Sequence, residues 1–178
     1  MLEARIRKEV ANLERLEREL ARYNLFPRIQ ADSLGSFSLT DEASLRIIGS
    51  ILHDYYTAIE KIFRIIAGDI DCSVPTGEQR HKELLDEMTL EVPGLRPALL
   101  DNKTARKLDE LRAFRHVFRN IYGFSLDPDK IRQLLEELPD LAGDFKKDLH
   151  LFTLRMRRIL GLDSSRGVTN SYSCSPRR

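Results

Sequence analysis

The strongest constraint on the fold is a long run of apolar side chains with helical spacing. Between Thr40 and Ala67 these side chains recur every three or four residues, which places them on one face of an α-helix. They are Leu45, Ile48, Ile51, Leu52, Tyr55, Ile59, Ile62, Phe63 and Ile66. Thr40 followed by two acids is typical of a helix N-cap, and Gly68 marks the end of the helix. A face this wide must be covered by other helices, so the stripe predicts a packed helical protein.

Four further segments have the amphipathic pattern of helices. We predict helices over residues 2–23, 78–90, 103–123 and 128–160. The last of them has the clearest start signal in the chain, because Asp127 can cap the helix and Pro128 fits its first position. Pro139 is expected to break or kink this helix, because proline lacks the N–H group that a helix interior needs, and Asp140 is the position where a final helix to about Leu160 would restart.

The pattern as a whole favours one class of fold. No segment alternates as a β-strand does, and helices of this length joined by short loops pack against one another in antiparallel fashion. We therefore expect an all-α, antiparallel up-and-down helical bundle of four to six helices. Residues 1–162 are expected to form this single domain, whereas residues 163–178 have no periodicity and are expected to be a mobile C-terminal tail.

Composition narrows the class of protein. Hydrophobic residues make up 42% of the 178-residue chain and charged residues 32%, a balance typical of a protein that folds in water. No apolar run reaches the ~18 residues needed to cross a bilayer, and the first residues lack a secretion signal, so we expect a cytoplasmic protein with no membrane partner. The formal net charge is only +1, so any binding to nucleic acid depends on a local cluster of basic residues.

Cysteine and histidine positions give no sign of a metal or cofactor site. Cys72 and Cys174 are the only cysteines, and we expect both to be free thiols. His53, His81 and His150 do not have the spacing of metal ligands, and no glycine-rich phosphate loop is present. We therefore predict neither a metal nor a cofactor.

The basic and aromatic stretch RAFRHVFRNIY, from Arg112 to Tyr122, is the main candidate for a functional site. On a helix that advances about 100° per residue, five of its polar side chains share one sector beside the apolar face. They are Arg112, Arg115, His116, Arg119 and Tyr122, with Asn120 just beyond. No acid falls in this sector, although like charges one turn apart repel by about 0.2–0.5 kcal/mol per pair. A phosphodiester bound by the three arginines would remove this repulsion.

Each of these candidates also has a purely structural interpretation. Acids on neighbouring helices, such as Asp54, Glu60 or Glu83, would neutralise the arginines inside the protein. His116 has a reference pKa near neutrality and suits proton transfer, but it also fits the role of a satisfied polar residue. Tyr122 is either an exposed phenol open to modification or an aromatic side chain packed at the edge of the core. The sequence leaves these alternatives open.

Three segments resemble the HepT-like branch of the HEPN superfamily over roughly residues 40–160: LHDYYTAIEKIFRIIA, RHKELLDEM and LRAFRHVFRNIYGFSLD. The resemblance implies a HEPN-like bundle that forms a homodimer and is encoded beside a minimal nucleotidyltransferase as a toxin and antitoxin pair. It also implies a metal-independent ribonuclease whose signature is an Arg, a short spacer, a His, one residue and a Tyr. In that family the partner silences some members by adding AMP to the Tyr.

The signature matches this sequence at two of its three positions. Arg115 corresponds to the Arg and Tyr122 to the Tyr, while Asn120 falls at the position of the His. An amide cannot exchange a proton near neutral pH, so His116, one turn earlier, is the candidate to replace it. The resemblance thus implies that Arg115, Asn120 and Tyr122 occupy the catalytic positions and that Tyr122 is the residue modified. Our hypothesis from the residues is that His116 and Arg119 act in catalysis with them and that Arg112, Arg115 and Arg119 bind RNA phosphates.

Three functions are compatible with these residues. A ribonuclease toxin would cut RNA with the basic sector, and we favour this function within a toxin and antitoxin system. A non-catalytic binding module would use the same sector to dock the nucleotidyltransferase, with Tyr122 receiving AMP, and the missing His favours that interpretation. A helical interaction protein would neutralise the cluster internally, which requires that Arg112, Arg115 and Arg119 all pair with acids of the same chain.

Overall fold

The computed structural model describes residues 2–29, 41–120 and 126–162. Within them the chain forms five α-helices: α1 Leu2–Arg22, α2 Glu42–Ile66, α3 Arg80–Glu87, α4 Asn102–Asn120 and α5 Pro128–Ile159. One turn of π-helix, Ala67–Asp71, extends α2, and the only β pairing in the described residues is an isolated bridge between Val92 and Arg96. The prediction of an all-α helical bundle is confirmed.

Helix α2 forms the centre of the core, because the apolar stripe that its sequence predicted is buried along its whole length. Every residue of the stripe is at most 4% exposed. Helix α1 packs along α2, while α4 also packs against α2 and contacts both α3 and α5. Phe63 of α2 meets Phe145 of α5 edge to face, with ring centroids 6.2 Å apart. Burial of this stripe removes a large apolar surface from water and so helps to hold the helices together.

The starts of α2 and α5 follow the capping signals in the sequence, with a shift of one residue in α2. Asp127 accepts hydrogen bonds from two backbone N–H groups of the first turn of α5, at 2.9 and 3.3 Å, as predicted. The cap of α2 is Asp41 and not Thr40, because the carboxylate of Asp41 accepts from both the backbone N–H and the hydroxyl of Ser44. Thr40 lies outside the described residues.

Helix α5 runs without interruption through Pro139. The sequence predicted a break or a kink at this residue, and the break is wrong. Proline removes one backbone hydrogen bond and costs a helix interior about 3 kcal/mol. Apolar side chains on both sides of it are buried in the core, and their burial outweighs that cost. They are Leu135, Leu138, Leu141 and Ala142.

The position of α4 against α2 depends on Gly49. A Cβ atom at this residue would lie only 2.6 Å from Cε2 of Phe118, so a side chain there would force the Phe118 ring to shift. Phe118 also stacks on Phe114 and lies beside His53, with ring centroids 5.8 Å apart in each pair. Helix α4 is thus anchored to α2 through its apolar face, and its basic flank is left beside α3.

Three further expectations concern membranes, metals and cysteines. No helix in the described ranges is long and apolar enough to span a bilayer. In those same ranges, no group of three His, Cys, Asp or Glu residues is placed to hold a metal ion. Cys72 is disulfide-bonded, so the expectation that it is a free thiol is wrong; spacing along a sequence does not fix which sulfur atoms meet. Cys174 and the predicted tail, residues 163–178, lie outside the described residues.

Candidate functional site

Helices α3 and α4 flank an open cleft of about 530 Å³. The wall formed by α4 contains Arg112, Arg115, His116, Arg119 and Asn120. The facing wall is formed by the first turn of α3 and the two residues before it: Glu78, Gln79, Arg80, His81 and Lys82. Five of the six candidate residues of the sequence therefore lie together, while Tyr122, the sixth, lies outside the described residues.

The lining of the cleft is strongly basic. It includes five cationic side chains, three from α4 and two from α3, and a single acid, Glu78. The first turn of α3 also brings the positive end of that helix's dipole to the same wall. Such a cleft attracts anions, and arginine offers the paired N–H groups that fit a phosphate. The contribution of α3 was not predicted, because sequence reasoning placed the basic cluster on one helix alone.

Arg115 is anchored beside the cleft by contacts with α2. It is 8% exposed, its Nη1 lies 3.6 Å from Oε2 of Glu60, and its Nε donates to the hydroxyl of Thr57 at 3.3 Å. Its guanidinium also lies over the ring of Tyr56, 5.8 Å from the centroid, in a cation–π contact. A guanidinium held by three neighbours has a fixed orientation, which suits the binding of one phosphate at a defined position.

Arg112 is paired within its own helix. Its Nε donates at 2.7 Å to Oδ1 of Asp109, an acid one turn earlier that lies just outside the basic sector. The absence of acids from that sector therefore does not leave Arg112 unpaired, because a long side chain reaches sideways. The pair is partly exposed, with 21% of the Arg112 side chain and 48% of the Asp109 side chain open to solvent. Arg112 also lines the cleft, so a bound anion would compete with Asp109 for its guanidinium.

The other three residues of the α4 wall, His116, Arg119 and Asn120, are exposed. Arg119 makes no ion pair or hydrogen bond with any residue that the structure describes. Nδ2 of Asn120 lies 3.4 Å from Nε2 of His116, a long hydrogen bond in which the amide donates and the imidazole accepts. Of the three arginines, Arg119 is therefore the one most open to an anion from solution.

Internal neutralisation of the arginine cluster is incomplete. The interpretation as a helical interaction protein required acid partners for all three arginines. Arg112 and Arg115 have such partners. The partner of Arg115 is Glu60, one of the three acids that the sequence suggested for this role. Arg119 has none in the described part of the chain. The cleft therefore keeps an excess of positive charge.

Glu60 connects the three helices around the cleft. Only 6% of its side chain is exposed, and its carboxylate meets Arg64 on α2, His81 on α3 and Arg115 on α4. The contact with His81 is a 2.9 Å hydrogen bond to Nδ1. This pair was not predicted, because His81 stands out in the sequence only as a possible metal ligand. The available signal was an acid on the core face of α2, one turn from buried aromatic residues on either side.

The surroundings of Glu60 tune two ionisable neighbours. Burial lowers the pKa of His81, and the charges of Arg115 and Arg80 lower it further, while Glu60 acts in the opposite direction. The hydroxyl of Tyr56 is buried without a hydrogen-bond partner among the described residues, and burial raises the pKa of this phenol. At neutral pH the cluster therefore contains a neutral imidazole, able to accept a proton, and a phenol that stays protonated.

The fold and the cleft together define a class of protein, an all-α bundle that presents a basic groove between two of its helices. The family model described as HepT-like protein matches residues 47–156. The chain therefore belongs to the HepT-like family, which confirms the resemblance in its sequence. The matched region extends from α2 to α5 and includes every residue that lines the cleft. No curated protein and no solved structure matches the chain.

Proposed function

We propose that this protein is the ribonuclease toxin of a HepT and minimal nucleotidyltransferase pair, and that it binds cytoplasmic RNA in the cleft between α3 and α4. The observation that carries the proposal is the lining of a cleft of about 530 Å³, which contains five cationic side chains and one acid and includes Arg119, an arginine without an acid partner among the described residues. RNA presents a regular row of phosphates, and their neutralisation is a large source of affinity in nucleic-acid binding. Membership of the HepT-like family supports the same function.

The arginines of the cleft suit different parts of the reaction because they differ in mobility. Arg115 is held by Glu60 and Thr57, so it offers a guanidinium of fixed position to the phosphate that is cut. Arg119 is exposed and can follow a phosphate that arrives from solution. Together they would stabilise the negative charge that builds on the phosphate oxygens during cleavage. His116, exposed on the same wall, can contact the phosphate backbone of the bound RNA.

Incubation of the purified protein with an RNA oligonucleotide, without its partner and with a metal chelator, tests the proposal. We expect cleavage, and we expect Arg119→Ala to lose about a hundredfold in rate, because it removes a charged donor that contacts the transition state. Arg132→Ala removes an exposed arginine of α5 outside the cleft and should cut at the wild-type rate. An Arg119→Ala protein as active as the wild type would exclude this cleft as the active site.

Expression in cells gives a second test of the same proposal. The protein expressed without its partner should impair growth, and Arg115→Ala or His116→Ala should relieve the defect. The Asn120→His variant examines the departure from the family signature. If the wild type leaves RNA intact while Asn120→His cuts it, His116 does not replace the missing imidazole and the natural chain is not a ribonuclease.

A second function, favoured by Asn120, is a non-catalytic module that binds the nucleotidyltransferase. Asn120 stands where the signature has a His, and its amide contacts His116 at 3.4 Å. The cleft would then dock the partner or its nucleotide, and Tyr122 would receive AMP. Mixing the protein with its partner and ATP should give a stable complex and a mass increase that Tyr122→Phe abolishes. An unmodified protein that does not associate would remove this function.

We also propose that the protein is a homodimer in which two copies of the cleft approach one RNA strand. The family resemblance supports this arrangement, and so does Val117, an apolar side chain next to His116 that is 54% exposed. Light scattering should give twice the 20.6 kDa mass of the chain, and Val117→Asp should shift the protein toward the monomer. A monomeric wild type at high concentration would contradict the proposed dimer.

A further inference from the structure

We propose that His81, held by the buried carboxylate of Glu60, is the general base that removes the proton from the attacking 2′-hydroxyl of RNA in the cleft. The inference rests on the proposed ribonuclease function and deepens it by assigning the proton-transfer step. It gives the reaction an imidazole that Asn120 cannot supply, and it takes that imidazole from α3 and not from α4.

The first support is the way in which Glu60 is held. Its side chain is 6% exposed, and it is fixed from three sides by Arg64 at 3.2 Å, His81 at 2.9 Å and Arg115 at 3.6 Å. A buried carboxylate with this many partners keeps one orientation, because any rotation would leave a charge unpaired in the interior. The imidazole hydrogen-bonded to it is therefore oriented as well, although His81 lies on a helix of only eight residues.

The second support is the tautomer that this contact imposes. A carboxylate only accepts hydrogen bonds, so the 2.9 Å contact requires that Nδ1 of His81 carries the hydrogen. In the neutral ring the lone pair is then on Nε2. Nδ1 is engaged with Glu60, and the His81 side chain lines the cleft while remaining 18% exposed. Nε2 is consequently the atom that can accept a proton from a bound ligand.

The third support is electrostatic. The charged groups that face His81 are Glu60 from α2, Arg115 from α4 and Arg80 from its own helix. Burial and the two arginines lower the pKa of His81, and Glu60 only partly opposes them. The ring is therefore unprotonated at neutral pH, as a general base must be.

His116 is less suited to this step. It is exposed, no carboxylate among the described residues orients it, and its Nε2 accepts from the amide of Asn120. Its location in the α4 wall allows it to contact phosphate or solvent, but its lone pair is already engaged. The two histidines on opposite walls of the cleft thus differ in how their imidazoles are oriented. Of the two, only His81 is hydrogen-bonded to a carboxylate that fixes its proton-accepting nitrogen.

The chemical step is balanced by groups of the chain and by water. Nε2 of His81 takes the proton of the 2′-hydroxyl as the 2′-oxygen forms a bond to phosphorus, and the bond from phosphorus to the 5′-oxygen breaks. The 5′-oxygen takes a proton from water, and His81 later returns its proton to solvent. The products are a 2′,3′-cyclic phosphate and a 5′-hydroxyl end. Arg115 and Arg119 stabilise the charge on the non-bridging oxygens.

Cleavage and binding are measured separately to test this assignment. Cleavage uses an ordinary RNA oligonucleotide, and binding uses the same sequence with every 2′-hydroxyl methylated, which cannot react. We expect His81→Gln to lose about a hundredfold or more in cleavage rate, because general-base catalysis contributes about that much, while its affinity for the methylated RNA stays within about twofold. His150→Gln, which changes an exposed histidine of α5 outside the cleft, should match the wild type in both measurements.

Glu60 is a positioning residue, and its test uses the pH profile. The wild-type rate should fall as pH drops through the pKa of His81, and His81→Gln should lack this acid limb. Glu60→Gln should move the limb to lower pH, because it removes the negative charge that favours the imidazolium. A merely structural role of Glu60 would reduce activity without moving the limb.

Nuclear magnetic resonance of the imidazole nitrogens gives a readout that does not need activity, and it also serves if Glu60→Gln folds poorly. His81 should carry its hydrogen on Nδ1 and titrate below the ordinary range of histidine. The opposite tautomer would overturn the assignment whatever the enzyme assays give.

The activity outcomes separate the two proposals. If the wild type binds methylated RNA but cuts ordinary RNA at no pH, the ribonuclease function fails and the role of His81 fails with it. If the wild type cuts and His81→Gln cuts equally fast, the function stands and the assignment of His81 is overturned. If His81→Gln lost both RNA binding and cleavage, the assignment would also be overturned, because a general base contributes to the chemical step and not to substrate binding.

Discussion

Two buried acids, Glu17 and Glu60, both link neighbouring helices through side-chain contacts, but they have different roles. Each is less than 10% exposed, and each joins three helices. Glu17 of α1 accepts hydrogen bonds from the hydroxyl of Tyr55 on α2 at 2.9 Å and from Lys146 of α5 at 2.8 Å. Glu60 of α2 meets side chains of α3 and α4, as well as one on its own helix.

The difference between the two clusters lies in the partners and not in the acids. Tyr55 and Lys146 do not line the cleft, and the reference pKa of a phenol, about 10, is far above neutral pH. Burial raises the pKa of Tyr55 still further. His81 and Arg115, by contrast, line the cleft, and an imidazole changes its charge near neutral pH. Glu17 therefore has a structural role, because it holds helices together. Glu60 also positions side chains that face a ligand in the cleft.

The largest expected effect is on stability when either acid is truncated. Glu60→Ala leaves the buried guanidinium of Arg115 without its counter-charge, and breaking a buried pair costs about 3–5 kcal/mol. Glu17→Ala should cost less, about 2 kcal/mol, because Lys146 can turn to solvent and only the Tyr55 hydroxyl is stranded. Urea unfolding measures both, with the exposed Glu83→Ala as control. The reverse order would contradict the comparison.

The next effect separates two adjacent tyrosines that are both fully buried. Tyr55→Phe removes a hydrogen bond to a carboxylate and should cost about 1.5–3 kcal/mol. Tyr56→Phe removes a hydroxyl that has no partner among the described residues, so it should be close to neutral or slightly stabilising. Thermal and urea unfolding of the two variants measure the difference. Equal losses would mean that the Tyr56 hydroxyl is satisfied by a bound water.

What the sequence could predict depends on how local each feature is. The apolar stripe of α2 and the Asp127 cap need only the spacing of residues within one helix, and both were found. The wall of the cleft that α4 forms was predicted for the same reason, because its basic residues share one face of a single helix. The other wall, including His81, is brought to α4 by tertiary packing that spacing within a helix cannot give. Pro139 is the opposite case, because a correct local rule is outweighed by buried neighbours on both sides.

The position of α4 shows the same limit. Gly49 looks like an ordinary helical residue in the sequence, yet its missing side chain allows Phe118 to approach α2. The identity of the acid that neutralises Arg115 was open for a related reason. Three acids were plausible partners, and only the packed structure places Glu60 within reach while Asp54 meets His53.

A smaller effect concerns RNA affinity at the exposed end of the cleft. Arg119→Ala should weaken binding of the methylated RNA about tenfold, since a hydrogen bond to a charged group is lost. Each phosphate contact contributes about 0.7 to the salt slope of single-strand binding, so the plot of log affinity against log salt should flatten by that amount. Arg132→Ala should change neither quantity. An unchanged slope in Arg119→Ala would show that this arginine contacts no phosphate.

The smallest expected effect is a pH dependence of stability that comes from the Glu60 cluster. The pKa of His81 is lower in the folded protein than in the unfolded chain, so the unfolded chain takes up a proton first as pH falls. The contribution of His81 to stability is therefore fully present above the unfolded pKa of about 6.5 and decreases as pH falls from there toward the folded pKa. His81→Gln should lose less stability than the wild type over this interval.

Urea unfolding at about pH 7.5 and about pH 5.5 measures this difference, and taking it between variants cancels the carboxylates that titrate in both. His150→Gln, which changes an exposed histidine outside the cleft, should follow the wild type. If the wild type and His81→Gln lost equal stability, His81 would not be held neutral in the folded protein. Glu60 would then have only a structural role, as Glu17 does, and a residue of α4 would be the proton acceptor of the cleft.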